Sequence, residues 1–182
     1  MSPSSGGFAA YNPSVQYLTV TSSAPVTLSS TEDWIHFPSN LDAGKEVLAT
    51  VTADNNTAST SRTAYITLST AEHSKQVPFT QAAFQWSVTG GDSHNFVATN
   101  APAFTFNVTS SAECTLSVSP ADAKGWLSFP ASVAAGSGKA VTVSAADNTS
   151  TASRSAVLTI ASHGHSKTFN LTQAGLPEPP AE

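Results

Sequence analysis

Apolar and polar residues alternate along this chain with a period of two, and no stretch carries apolar residues at helical spacing over any length. The clearest case runs from residue 62 to 69, where Ala64, Ile66 and Leu68 alternate with Thr63, Tyr65 and Thr67. Successive side chains of a strand point to opposite faces, so this pattern predicts a half-buried strand. A matching run places Ala156, Leu158 and Ile160 against Ser155, Val157 and Thr159. The same reasoning predicts strands near 16–20, 25–29, 46–52 and 75–81, then near 103–108, 113–118, 139–145 and 167–173. An additional leading strand is expected at 84–90, "FQWSVTG". Segments such as "SNLDAGK", "DNNTAST", "AAGSGK" and "ASHGHS" separate them, rich in residues that suit tight turns or positive φ. Short antiparallel strands in this number predict an all-β fold made of two tandem immunoglobulin-like β-sandwiches.

The second set of strands repeats the first. Residues 34–82 align without a gap on residues 126–174, and 20 of the 49 positions are identical. The shared residues include Trp34, Phe37-Pro38, Asn56-Thr57, Ser61-Arg62, Ala64, His73-Ser74-Lys75 and Thr80-Gln81-Ala82, each recurring 92 positions later. Upstream of the tryptophans, "TVTSSAPVTL" from Thr19 matches "NVTSSAECTL" from Asn107 after a four-residue shift, which a loop of unequal length absorbs. A period near 90 describes two globular units rather than a solenoid. The expected organisation is a first domain at 1–83, a second at 84–175, and a proline-rich acidic tail or linker at 176–182.

Composition removes several function classes. Seven Lys and Arg are dispersed in a chain of net charge −5, with no basic run, so no nucleic-acid partner is expected. No apolar run approaches the roughly 18 residues of a membrane span. "MSPSSGGFAAYN" has no basic head followed by an apolar segment, so no secretory signal is read within this sequence. The single cysteine, Cys114, forms no intrachain disulfide, and its place opposite Val26 predicts a small buried hydrophobe.

The duplicated polar residues read as part of the fold. Arg62 and Arg154 share phase with the inward residues of their strands but stand at the strand starts, where a guanidinium reaches loop carbonyls. Gln81 and Gln173 share phase with Val77 and Phe79, and with Phe169 and Leu171, so they should face inward and require partners. Asn56 and Asn148 suit an Asx turn ahead of the strand.

This pattern resembles the BACON family of immunoglobulin-like domains, found mainly in proteins of Bacteroidetes and some of their phages. The resemblance is carried by Trp126-Leu127, Pro130, Gly136, Asn148, Arg154, Ala156, Leu158, Thr172-Gln173 and Gly175. The first copy departs from it at Ile35 and Ala83. The resemblance implies a non-catalytic β-sandwich in an extracellular, cell-surface or virion setting, with carbohydrate or mucin-type glycans as the implied ligands.

Glycan sites on such sandwiches use exposed aromatic platforms flanked by polar groups. The candidates are aromatics that the repeat does not preserve: Tyr65, Trp86, Tyr17 and Tyr11. Trp86, just after the junction, suits either inter-domain packing or ligand contact. No metal site or cofactor is expected; the nearest approach is His163-x-His165, of which only His165 recurs and which has no third ligand nearby in sequence. Asp92-Ser93-His94 are adjacent in sequence, which is not the spatial geometry of a triad, and the twelve carboxylates are scattered. The chain is therefore read as no enzyme. Two functions remain: a binding or spacer module attaching weakly to glycans, or a phage virion protein that decorates a capsid or tail and contacts other virion proteins.

Overall fold

The structure, a computed structural model, describes residues 3–178. These divide into two compact units, Met1–Phe84 and Gln85–Glu182. The first contains β1 (Gly6–Phe8), β2 (Gln16–Ser22), β3 (Val26–Ser29), β4 (Ile35–His36), β5 (Asn40–Leu41), β6 (Gly44–Ala53), β7 (Arg62–Ser69) and β8 (Ser74–Gln81). The second contains β9 (Trp86–Val88), β10 (Ser93–Phe96), β11 (Phe104–Ser110), β12 (Cys114–Ser119), β13 (Leu127–Ser128), β14 (Ser132–Val133), β15 (Gly136–Ala145), β16 (Arg154–Ser162) and β17 (His165–Gln173). One 3-10 turn, Ala121–Gly125, follows β12.

Each unit is a two-sheet sandwich. In the first, a five-stranded sheet β1-β8-β7-β3-β5 packs on a three-stranded sheet β2-β6-β4. In the second, β10-β17-β16-β12-β14 packs on a four-stranded sheet β13-β15-β11-β9. Alternation decides which faces meet. On β7, Ala64, Ile66 and Leu68 are buried while Thr63 and Tyr65 are exposed. They join Leu18, Val20, Ala49, Val51, Val77 and Phe79 in one apolar cluster. The second unit builds its core around rings, with Phe106 and Phe169 at 4.4 Å and Phe104 and Phe169 at 5.4 Å between centroids.

Both sandwiches close with a parallel pair that the alternation does not reveal. β1 runs parallel to β8, with Phe8 opposite Gln81, and β10 runs parallel to β17, with Phe96 opposite Gln173. The predicted strand at 84–90 is β9, shorter than expected at Trp86–Val88, and β10 begins beyond its predicted end. β9 pairs with β11, and then Gly90 (φ 97°) and Gly91 (φ 52°) carry the chain to the other sheet, where β10 begins. Positive φ of this kind costs glycine little. Among the described residues the first unit has a counterpart of β10, namely β1, and none of β9. Residues 176–178 of the expected tail follow β17 as irregular chain; residues 179–182 lie outside the described residues.

Candidate functional site

The duplicated polar residues converge at one end of each sandwich. Gln81 is fully buried; its Nε2 donates to the carbonyls of Ala9 (3.0 Å), Ala10 (3.3 Å) and Asp54 (2.8 Å). Its Oε1 accepts from Arg62 Nε at 2.8 Å, and Arg62 Nη2 donates to Asp54 O and Asn55 O. The Arg62 guanidinium lies 4.4 Å over the ring of Trp34. Asn56 donates to Thr60 O and Ala82 O and accepts from Ala58 N–H, an Asx turn. The second unit reproduces this atom for atom through Gln173, Arg154, Trp126 and Asn148, with Arg154 Nε at 2.9 Å from Gln173 Oε1. Among the described residues no buried side-chain nitrogen or oxygen lacks a hydrogen-bond partner. These groups are occupied with one another and with backbone, so they hold the strand ends rather than present a site. Trp34 is buried, whereas Trp126 is half-buried against its core.

The unduplicated aromatics are distributed over separate surfaces. Tyr65 is 53% exposed at the middle of β7, on the outward face of the five-stranded sheet. Pro78 stands opposite it on β8. Two hydrogen-bonded pairs flank it on the same face: Thr63 with Thr80 (3.1 Å) and Gln76 with Thr67 (3.3 Å). The ring thus sits between hydroxyl and amide groups already held in place. Tyr17 is 56% exposed on β2, diagonal to Leu48 (60% exposed) on β6, so it faces outward from the other sheet. Tyr65 and Tyr17 therefore lie on opposite faces of one sandwich. Tyr11 is half-buried, beside the turn in which Asn12 N–H donates to Asn55 Oδ1. Trp86 is half-buried on β9, packs against the second unit's own core, and stacks on His165 at 5.7 Å.

Three of the five histidines bear on the metal and triad readings. His163 (φ 45°) and Gly164 (φ 84°) form the two-residue turn between β16 and β17, the positive φ pair that such hairpins demand. His165 starts β17 and meets Trp86. Among the described residues no group of three His, Cys, Asp or Glu is placed to hold a metal ion. Asp92 pairs with Lys167, Ser93 opens β10, and His94 stacks on Phe104 at 4.7 Å, so the three point to different partners. Burial of His94 between Phe96 and Phe104 lowers its pKa from the ordinary 6.5. No helix among the described residues is long and apolar enough to cross a membrane.

The family model described as "BACON: Putative binding domain, N-terminal" matches residues 18–82 and again 98–174. No curated protein matches the chain. Among solved structures, a Bacteroides ovatus GH5 xyloglucanase in complex with a XXXG heptasaccharide is similar at 18% identity and TM-score 0.43, over 54% of this chain and 20% of that one. The D0-D1 domain of intimin is similar at 11% identity and TM-score 0.35, over 95% of each chain. An I-band fragment of titin matches at 10% identity and TM-score 0.41, over 94% of this chain and 62% of that one. This chain thus spans about a fifth of the length of the xyloglucanase.

Proposed function

The chain belongs to the BACON family, with both of its units matched, and from that premise we propose that it is a non-catalytic extracellular binding module attaching weakly to glycans, mucin-type chains among them. The observation that carries this reading is Tyr65: a half-exposed ring on the outward face of β7, with hydrogen-bonded pairs on both sides. A sugar stacks its C–H face on such a ring and bonds its hydroxyls to the flanking groups. Tyr17, Trp86 and Tyr11 are the alternative candidates, and Tyr17, which faces outward from the other sheet, lies apart from the Tyr65 site. Single-ring sites of this kind bind in the millimolar to high micromolar range, about 4–6 kcal/mol. Display of many copies on a surface would raise that to useful attachment by avidity.

The test is titration of mucin-type and plant glycans against wild type, Tyr65→Ala, Tyr17→Ala and Trp86→Ala, with folding followed by circular dichroism. Tyr65→Ala should abolish the measurable binding while leaving the melting curve unchanged, since the ring is outward. If no glycan binds wild type at about millimolar concentration, the glycan reading fails and a spacer or virion-decoration role takes its place.

A further inference from the structure

The two units differ at one edge. In the second, β9 lies antiparallel along β11, pairing Trp86 with Ser110 and Val88 with Val108. Thr89 N–H donates to Asn107 O (2.9 Å), and Ser111 N–H donates to Gln85 O (3.0 Å). Trp86 and Val88 pack on the core, and Ser110, the cross-strand partner of Trp86, and nearby Ala112 are almost fully buried.

In the first unit the equivalent strand, β2, has β6 on one side and, among the described residues, no strand on the other. A cleft of about 490 Å³ opens there, lined by Val20, Ser22, Val26, Leu68, His73 and Lys75 among others. Each of these six is the repeat partner of Val108, Ser110, Cys114, Ile160, His165 or Lys167. His73, the counterpart of the histidine on which Trp86 stacks, is exposed, as is Ala24, the counterpart of buried Ala112.

The backbone is shaped alike in both places. β2 and β11 carry the same register irregularity, at Val20/Ser22 and Val108/Ser110. Thr21 Oγ1 accepts from Glu46 N–H as Thr109 Oγ1 accepts from Gly138 N–H, both at 3.0 Å. The outer edge of β2 reads Thr19-Val20-Thr21-Ser22, with none of the charges or prolines that protect free edges.

We propose that this cleft is a strand-docking site. An extended segment of a partner protein pairs antiparallel with the outer edge of β2 and seats an aromatic side chain against His73. The chain's own β9 supplies the template for the occupant: an aromatic residue facing Ser22 and a branched apolar residue two positions on, facing Val20. A free edge offers alternating N–H and C=O groups at strand spacing, which a polypeptide satisfies along its whole length. The site is separate from the Tyr65 face and does not depend on the glycan reading.

The probe is a fluorescein-labelled peptide of sequence AAFQWSVTGG, residues 82–91, titrated against the full chain by fluorescence polarisation. Saturable binding is expected, weakened about tenfold or more when the peptide tryptophan is alanine or the protein carries His73→Ala. Amide shifts should concentrate at Thr19–Ser23 and His73. A second protein carries a copy of Gln85–Asp92 in place of residues 1–4, which sets that copy before Ser5 as Asp92 precedes Ser93. It should fold, melt higher, and no longer bind the peptide. The proposal is overturned by no binding to wild type at about 1 mM, by binding that survives the graft, or by shifts that map to β11 instead. Concentration-dependent dimerisation of the peptide-free chain through Thr19–Ser23 would assign the cleft to a second copy and overturn it equally.

Discussion

A fully buried amide is tolerated only when each of its polar atoms is met, because desolvation without a partner costs about 1–3 kcal/mol per group. Gln173 meets that condition with three carbonyl acceptors, Val97, Ala98 and Ala146, and one donor, Arg154. Replacing it with leucine keeps the volume and strips all four bonds. We expect Gln173→Leu to destabilise the second unit by about 2–4 kcal/mol, measured by urea unfolding with hydrogen exchange on β16 and β17. A change within a few tenths would mean that water replaces the amide at the rim. His94 gives the residue scale its pH dependence. Its folded pKa lies below 6.5 because burial disfavours the charged ring. The unfolded chain therefore takes up the proton first, and stability is lost as pH falls through and below 6.5. Between about pH 7.5 and about pH 5.5 the second unit should lose thermal stability in wild type, and His94→Phe should flatten that slope. Equal slopes in the two proteins would show that other groups control it.

At the scale of elements, the long strands were legible because each buries one face, so Arg62–Ser69 and its twin announce themselves by alternation. The two-residue strands β4, β5, β13 and β14 are too short for any period. β1 and β10 were hidden for a different reason: each is a brief parallel partner to the last strand of its unit. A signal for them did exist, since Phe8, Ala10 and Asn12 match Phe96, Ala98 and Asn100 at the four-residue-shifted spacing. Both asparagines adopt positive φ, 47° and 50°. For the candidate site, phase alone placed Tyr65 on an outward face, but that Tyr17 faces the opposite way depends on sheet membership, a non-local fact. The stacking of Trp86 on His165 likewise follows from β9 joining β11, which no local pattern encodes. The departure of the first copy at Ala83 has a physical counterpart at Gly175. A Cβ built there would lie 2.0 Å from Thr151 O, so the loop after Asn148 leaves no room for one. Gly175→Ala should destabilise the second unit by about 1–3 kcal/mol and speed exchange of the Leu176 N–H, which donates to Ser150 O. Unchanged exchange would show that the loop yields without cost.

For the molecule as a whole, the decisive feature is that each unit owns a complete core. One buried cluster runs from Phe8 to Phe79 and the other from Phe96 to Leu171, with no residue shared. Damage to one core should therefore stay in its unit. Trp34 is 5% exposed and carries the Arg62 guanidinium on its face, so truncation opens a cavity and removes the surface that orients Arg62. Trp34→Ala should cost about 3–5 kcal/mol, close to the entire stability of a domain this size. Trp126→Ala should cost less, because that ring is already half-buried. Hydrogen exchange with peptide-level readout checks both: Trp34→Ala should release β7 and β8 while β16 and β17 keep wild-type protection. Loss of protection in both units would mean that they unfold as one body. The same variant bears on function, because the Tyr65 face and the β2 cleft both belong to the first unit. Glycan and peptide binding should disappear together in Trp34→Ala, with the folded second unit as an internal control. Glycan binding that persists would move the site to the second unit, where Val157 replaces Tyr65 and Trp86 becomes the remaining candidate ring.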